Sequence, residues 1–201
     1  MKTVTGLFDN YSDASTAVSA LEASGIPSDD ISIVSNNAGD KHTKGETNAA
    51  EGAGTGAGIG AVVGGAGGLL AGLGIMAIPG VGPVVAAGWL AATAAGVAAG
   101  ALAGGAAGGL IGALTDSGVP EEHAHVFAEG VRRGGTLVTA KVDDTRRAEA
   151  EAILKQTNWV DPVERRQAYA AQGWTRFDET AAPYGPDEID RERERYTRRT
   201  L

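Results

Sequence analysis

The chain has 201 residues, 31 of them glycine, no cysteine, and a net charge of −8 at pH 7. Without cysteine it has no disulfide framework, thiolate zinc site, lipoprotein attachment or thiol nucleophile. The acidic balance gives no global basic field for nucleic acid. The opening MKTVTGLFDN reaches Asp9 without the apolar run of a secretory signal, so none is expected.

Residues 1–35 read as a β-α-β unit. Thr3 to Phe8 alternates as a strand, with Val4, Gly6 and Phe8 on one face and Leu7 on the other. Ser12 is the expected N-cap of a helix in which Ala14, Ala17, Val18 and Leu21 repeat at helical spacing. Gly25 closes it, and Ile31 to Val34 is a second strand. Residues 36–51 form a polar linker without periodicity, and His42 between two lysines reads as solvated.

No Asp, Glu, Lys, Arg or His falls between Glu51 and Asp116. Within residues 52–115 small residues recur every fourth position: Gly52, Gly56, Gly60, Gly64, Gly68 and Gly72, then Gly88, Ala92, Gly96, Gly100, Gly104, Gly108 and Gly112. Small-xxx-small spacing lets helix backbones approach closely in lipid, while so many glycines would weaken an isolated helix in water. Ile59 to Ile78 would make about 30 Å of helix, the thickness of a hydrocarbon core. Pro79-Gly80 and Gly82-Pro83 punctuate the run as a turn. These features predict a glycine-zipper helical hairpin, transmembrane in nature, whose helices pack through the small residues. Because a ridge of period four drifts around a helix of 3.6 residues per turn, different heights meet different neighbours, which predicts an oligomer.

Residues 116–163 read as a second half, α-β-α-β. Pro120 starts a helix with Glu121 and Glu122 in the first turn, Arg132-Arg133 in the last, and Gly134-Gly135 as its stop. Thr136 to Val142 is strand-like; a helix capped by Asp143-Asp144 follows, with Ala148, Ala152 and Ile153 inward, and Trp159-Val160 begins a short last strand. The two halves repeat approximately, each a strand, an Asp-marked turn, an alanine-rich helix and a breaker. The fold class is therefore α+β: a ferredoxin-like βαβ–βαβ domain, helices on one face, interrupted by the hairpin and followed by a helical tail. That tail, residues 164–201, carries a charged helix from Pro186, read as solvated or as a strap across a neighbouring subunit.

FDNYSDASTAVSALEASGIPSDDISIVS, the Gly/Ala run and GVPEEHAHVFAEGVRRGGTLVTAKV together resemble bacterial general-stress-protein domains of the heat-induced type, over roughly residues 1–160. The resemblance implies a stress-associated bacterial protein, and its motifs are architectural. The hairpin alone also resembles the glycine-zipper segments of envelope stress proteins, although the lipoprotein cysteine common there is missing.

No constellation argues for an enzyme. His123 and His125, two apart, diverge on a helix, so with Glu122 and Glu129 they supply too few ligands for a zinc site. The glycines at Gly54, Gly56, Gly58 and Gly60 lack the G-K-[ST] of a phosphate loop. No cofactor or metal is expected; the partners expected are the chain itself, as a homo-oligomer, and a lipid bilayer, with no nucleic acid. The reading is a non-enzymatic stress protein that inserts in the inner membrane, both termini cytoplasmic, and oligomerises to scaffold it. The alternatives are a cytoplasmic soluble homo-polymer with hairpins buried between subunits, or a small-ligand-sensing regulatory domain.

Overall fold

The computed structural model describes residues 1–38, 74–93 and 109–197. The first unit forms as its pattern dictates. Strand β1 (Lys2–Phe8) leads into helix α1 (Tyr11–Ala23), and a 3-10 turn (Ser28–Asp30) leads into β2 (Ile31–Asn36). The cap of α1 is Asn10 rather than Ser12: its backbone is extended, and its side-chain oxygen accepts from the Asp13 N–H at 2.8 Å. Ala14, Ala17, Val18 and Leu21 form the buried face of α1, as their spacing requires.

The centre of the expected helical hairpin is β-structure. Strands β3 (Gly74–Ile78) and β4 (Gly82–Gly88) pair antiparallel, from Gly74 opposite Ala86 to Ile78 opposite Gly82. A helix over Ile59–Ile78 therefore cannot persist to its expected end. PGVGP is a β-hairpin turn, closed by the Val81 N–H on the Ile78 carbonyl at 3.0 Å. Val84 and Val85 are β-branched and suit a strand; the open edge of β2 supplies the ladder, pairing Ser32 with Gly88 through Asn36 with Val84. Residues 89–93 then turn helical. Among the described residues no helix is long and apolar enough to cross a membrane.

Helices α2 (Gly109–Asp116) and α3 (Glu121–Arg132) follow, then β5 (Thr136–Val142), α4 (Arg147–Lys155), α5 (Pro162–Ala170) and α6 (Pro186–Thr197). The inward face of α4 is Ala150 and Leu154, whereas Ala148 and Ala152 are exposed. That helix starts at Arg147, without a side-chain cap from Asp143 or Asp144.

The sheet is antiparallel between every pair of neighbours, in the order β1-β5-β2-β4-β3. Strand β5, from the second half, lies between β1 and β2 of the first: Val138 stands opposite both Gly6 and Ile33. Val160 makes a single antiparallel bridge to Leu7 on the outer side of β1. Helices cover both faces, not one. Phe8, Val18, Leu21, Ile33, Val138 and Leu154 pack under α1 and α4. Leu7, Val34, Leu114, Phe127, Val131 and Leu137 pack under α2 and α3. The second layer exists because α2 and α3 bring apolar faces of their own, which leaves β5 buried on both sides.

Candidate functional site

Two features stand out from the core. One is a network of charged and aromatic side chains that holds residues 162–197 against the sheet domain. The other is an open cleft beside it.

The network is built on the last turn of α3. Glycine ends this helix: Gly134, at φ +99°, lets its own N–H reach Val131 and the Gly135 N–H reach Gly130. A Cβ on Gly134 would meet the side chain of Ile189 in α6, so the stop also admits the tail helix. Glu129 is fully buried, and Arg133 donates to it from Nε at 2.6 Å. The Nη1 of Arg133 donates to Glu192 of α6 and to Gln172, both at 2.8 Å. Its guanidinium lies 4.1 Å from the ring centroid of Tyr169. Burial disfavours the charge on Arg133, but its hydrogen bonds to Glu192 and Glu129 outweigh this and raise the pKa.

A second clamp ties α5 to the end of β1. Arg165 donates to both carboxylate oxygens of Asp9, at 2.7 and 2.8 Å, the bidentate geometry that favours arginine. The Tyr196 ring stacks on its guanidinium at 3.7 Å, and the Tyr196 hydroxyl donates to Glu192 at 3.2 Å. Arg132 and Arg193 donate to the backbone carbonyls of Ala182 and Gly134, each at 2.8 Å. The tail helix is thus packed on its own chain, where the sequence suggested a solvated helix or a strap across another subunit. Glu129 and Glu192 both serve Arg133, so neither is a free base while the latch holds.

Burial raises the pKa of Tyr169 above the ordinary tyrosine range. An unfolded tyrosine ionises near pH 10, so above about that pH the unfolded state binds fewer protons than the folded one. The stability linked to Tyr169 is therefore full below pH 10 and lost as pH climbs beyond it. Among the described residues the Tyr169 hydroxyl has no well-aligned hydrogen-bond partner and faces only the Arg165 guanidinium, which Asp9 already engages. Tyr169→Phe should therefore change Tm little at pH 7 and should shallow its decline between pH 9 and 11. Burial also raises Tyr11 and Tyr196, so the decline will shrink without vanishing. An unchanged slope would remove Tyr169 as a source of it.

The cleft, about 1030 Å³, opens between α2, α3 and residues 173–181. Ile111, Trp174 and Phe177 give it apolar wall, and His125, Arg132 and Thr180 give it polar edge. His125 faces Glu121 at 3.6 Å. Hydrogen bonds from the Thr180 side chain and backbone hold the Asp178 carboxyl below its usual range. Among the described residues no group of three or more His, Cys, Asp or Glu is placed to hold a metal ion.

Of the expected packing residues, Gly88 ends β4 instead of lying on a helix. Its φ is +86°, and a Cβ there would collide with the Ile31 carbonyl of β2. Its small size serves a contact within the chain. Ala92 is exposed on the helical residues 89–93, and Gly112 is half-buried in α2 at the cleft. Gly52, Gly56, Gly60, Gly64, Gly68, Gly72, Gly96, Gly100, Gly104 and Gly108 lie outside the described residues. Sequence reasoning missed the latch, although Glu129 and Arg133 four apart on a helix were a visible signal.

No curated protein and no solved structure matches the chain. Residues 3–80, running from β1 into the β3–β4 turn, match the family model of the heat induced stress protein YflT domain, which supports placing this chain with the general stress proteins.

Proposed function

We propose that this is a non-enzymatic stress-associated protein that acts by self-association. A ferredoxin-like core, whose fourth strand is reduced to Val160, would present the Gly/Ala-rich residues 52–73 and 94–108 to other copies. The observation that carries this choice is the place of β3 and β4 in the sheet. Residues 39–73 leave from β2 and return at β3, so both their ends are held in one sheet. A segment tethered in this way must cross a bilayer twice or not at all. Residues 52–73 are about one crossing long, at roughly 20 residues per crossing. The tether therefore favours contact between protein copies over a bilayer-spanning hairpin. The uncharged, small-residue spacing supplies the close-approach surface.

The test replaces Gly100 and Gly104 together with leucine. The added bulk should hold neighbours apart, at about 1–3 kcal/mol per contact, and reduce a sedimenting assembly to smaller species. Leucine at Val97 and Ala101, off the ridge, should do less. An assembly unchanged by the double variant would sink the reading. A parent protein that is monomeric alone but resists alkaline carbonate extraction from membranes would restore the bilayer instead.

A further inference from the structure

The outer edge of β1 is almost bare. Val160 donates from its N–H to the Leu7 carbonyl at 2.9 Å, so the backbone polar groups of Leu7 point away from β5. Strand geometry repeats every two residues, so those of Thr5 and Thr3 point the same way. Past Val160 the chain turns off at Asp161, which caps α5 through the N–H groups of Val163 and Glu164 at 2.7 and 3.3 Å. Among the described residues nothing then pairs with the outward groups of Thr3 and Thr5.

What lies beside them is a slot of about 320 Å³ with a wall from each helical layer. Thr3, Val4 and Thr5 form the floor. Val119, Phe127 and Pro162 make one wall, and Leu154 and Trp159 make the other. A strand laid along β1 would put alternate side chains against Phe127 and against Trp159, the two-sided burial that a fourth strand would have had. At the rim Arg147 is already paired with Glu151 at 2.7 Å. Lys155 lies over the Trp159 ring at 5.4 Å and has no carboxylate partner among the described residues. Of the other charged groups lining the slot, Asp161 is engaged as the cap of α5, which leaves Lys155 as the cation facing it without an ion pair among the described residues.

We propose that this slot binds a short extended peptide from another protein by strand addition to β1, with small β-branched residues in the walls and a carboxylate for Lys155. Main-chain hydrogen bonds to Thr3 and Thr5 give such a site its affinity, and the two walls give it selectivity. A second copy of this chain is a poor occupant through its own β1. Thr3 and Thr5 are recessed between the walls, and strands must approach to about 4.8 Å to pair. Two recessed edges would bring helices together before strands. The slot lies at the opposite end of the sheet from β3, so the inference is independent of the self-association proposed above.

The probe is a blocked tetrapeptide of valine, threonine, valine and aspartate, titrated into the full chain and followed by amide NMR and tryptophan fluorescence. The expected result is saturable binding that shifts the Thr3 and Thr5 amides and slows their exchange. Methylating the two valine nitrogens of the peptide should abolish binding, without any change to the protein. Thr5→Pro removes an outward N–H while sparing the bonds to β5, and should weaken binding about tenfold at unchanged Tm. Replacing the peptide aspartate with asparagine should weaken it less. The proposal is overturned by absence of binding up to millimolar peptide, by equal binding of the methylated peptide, or by shifts confined to residues outside the slot. It is overturned equally if Thr5→Pro turns a dimer of the parent into a monomer, since a second copy would then hold the edge.

Discussion

Arg133→Met should destabilise the protein by about 3–5 kcal/mol, the cost of breaking a buried ion pair by removing one partner. Glu129 is fully buried and Glu192 nearly so, and both would lose the guanidinium that compensates them. Arg132 and Arg195 reach the same carboxylates only from farther away, at 3.4 and 3.1 Å. Lysine should not restore the loss, because a single ammonium cannot keep bonds to Glu129, Glu192 and Gln172 while stacking on Tyr169. Urea denaturation gives the size of the effect. Limited proteolysis gives its location, since residues 171–197 should become cleavable before the sheet unfolds. Adding Glu129→Gln and Glu192→Gln should recover part of the loss, as expected for groups that share one network. A single variant within 1 kcal/mol of the parent, with its tail still protected, would show that the latch does not hold α6 in place.

Gly88→Val should cost about 2–5 kcal/mol. A left-handed backbone carries a penalty of about 1–2 kcal/mol for a residue with a Cβ, and overpacking adds about 1–3. The collision is with backbone on β2: the Ser32 Cα would lie 2.8 Å from the new Cβ, so no rotamer change relieves it. The Ser32 hydroxyl, which now accepts from the Leu90 N–H at 2.8 Å, would be displaced as well. Amide exchange should accelerate first in β2 and β4 and only later in β1 and α4. If Gly88→Val melts with the parent and its exchange pattern is unchanged, Gly88 is not the corner that seats β4 on β2. Gly100 and Gly104 would then regain their place beside it as members of one ridge.

These glycines show where the sequence could be read and where it could not. β1, α1, β2, α3 and β5 were legible because each has a clean period bounded by a stop: Val4, Leu7 and Phe8 split correctly between faces, and Gly25 and Gly134 end their helices. The repeat of the two halves suggested a ferredoxin-like sheet, and the placing of β5 between β1 and β2 came from the structure. The β3–β4 hairpin was hidden by composition. GIMAI and GPVVAAG are short uncharged runs in a longer uncharged run, and periodicity does not separate a buried strand from a buried helix at that length. Val84-Val85 beside Gly82-Pro83 was the local hint of a strand, and absence of charge on either side outweighed it. The phase of α4 slipped because Ala148 and Ala152 share one face and Ala150 lies opposite, so alanine alone does not choose between them. Ile153, expected inward, does pack against the core beside Leu154. The latch joins Arg133 to Glu192 across β5, α4 and α5, a separation at which charge spacing carries no information. Only Glu129 and Arg133, a local pair, could have suggested it.

The central position of β5 has a consequence for how the chain is made. β1 has no sheet neighbour in the first half: its ladder partner is residues 136–142, and its single bridge is at Val160. A ribosome adding roughly 5–20 residues per second needs on the order of 5–20 seconds to travel from β2 to the end of β5. Throughout that interval β1 and α1 wait with Phe8, Leu21 and Ile33 uncovered, while the uncharged glycine-rich residues emerge beside them. Closing so long a loop is slow as well as late. A chaperone that shields short apolar segments would find this half-built state then, before β5 arrives to join β1 to the β2-β4-β3 ladder.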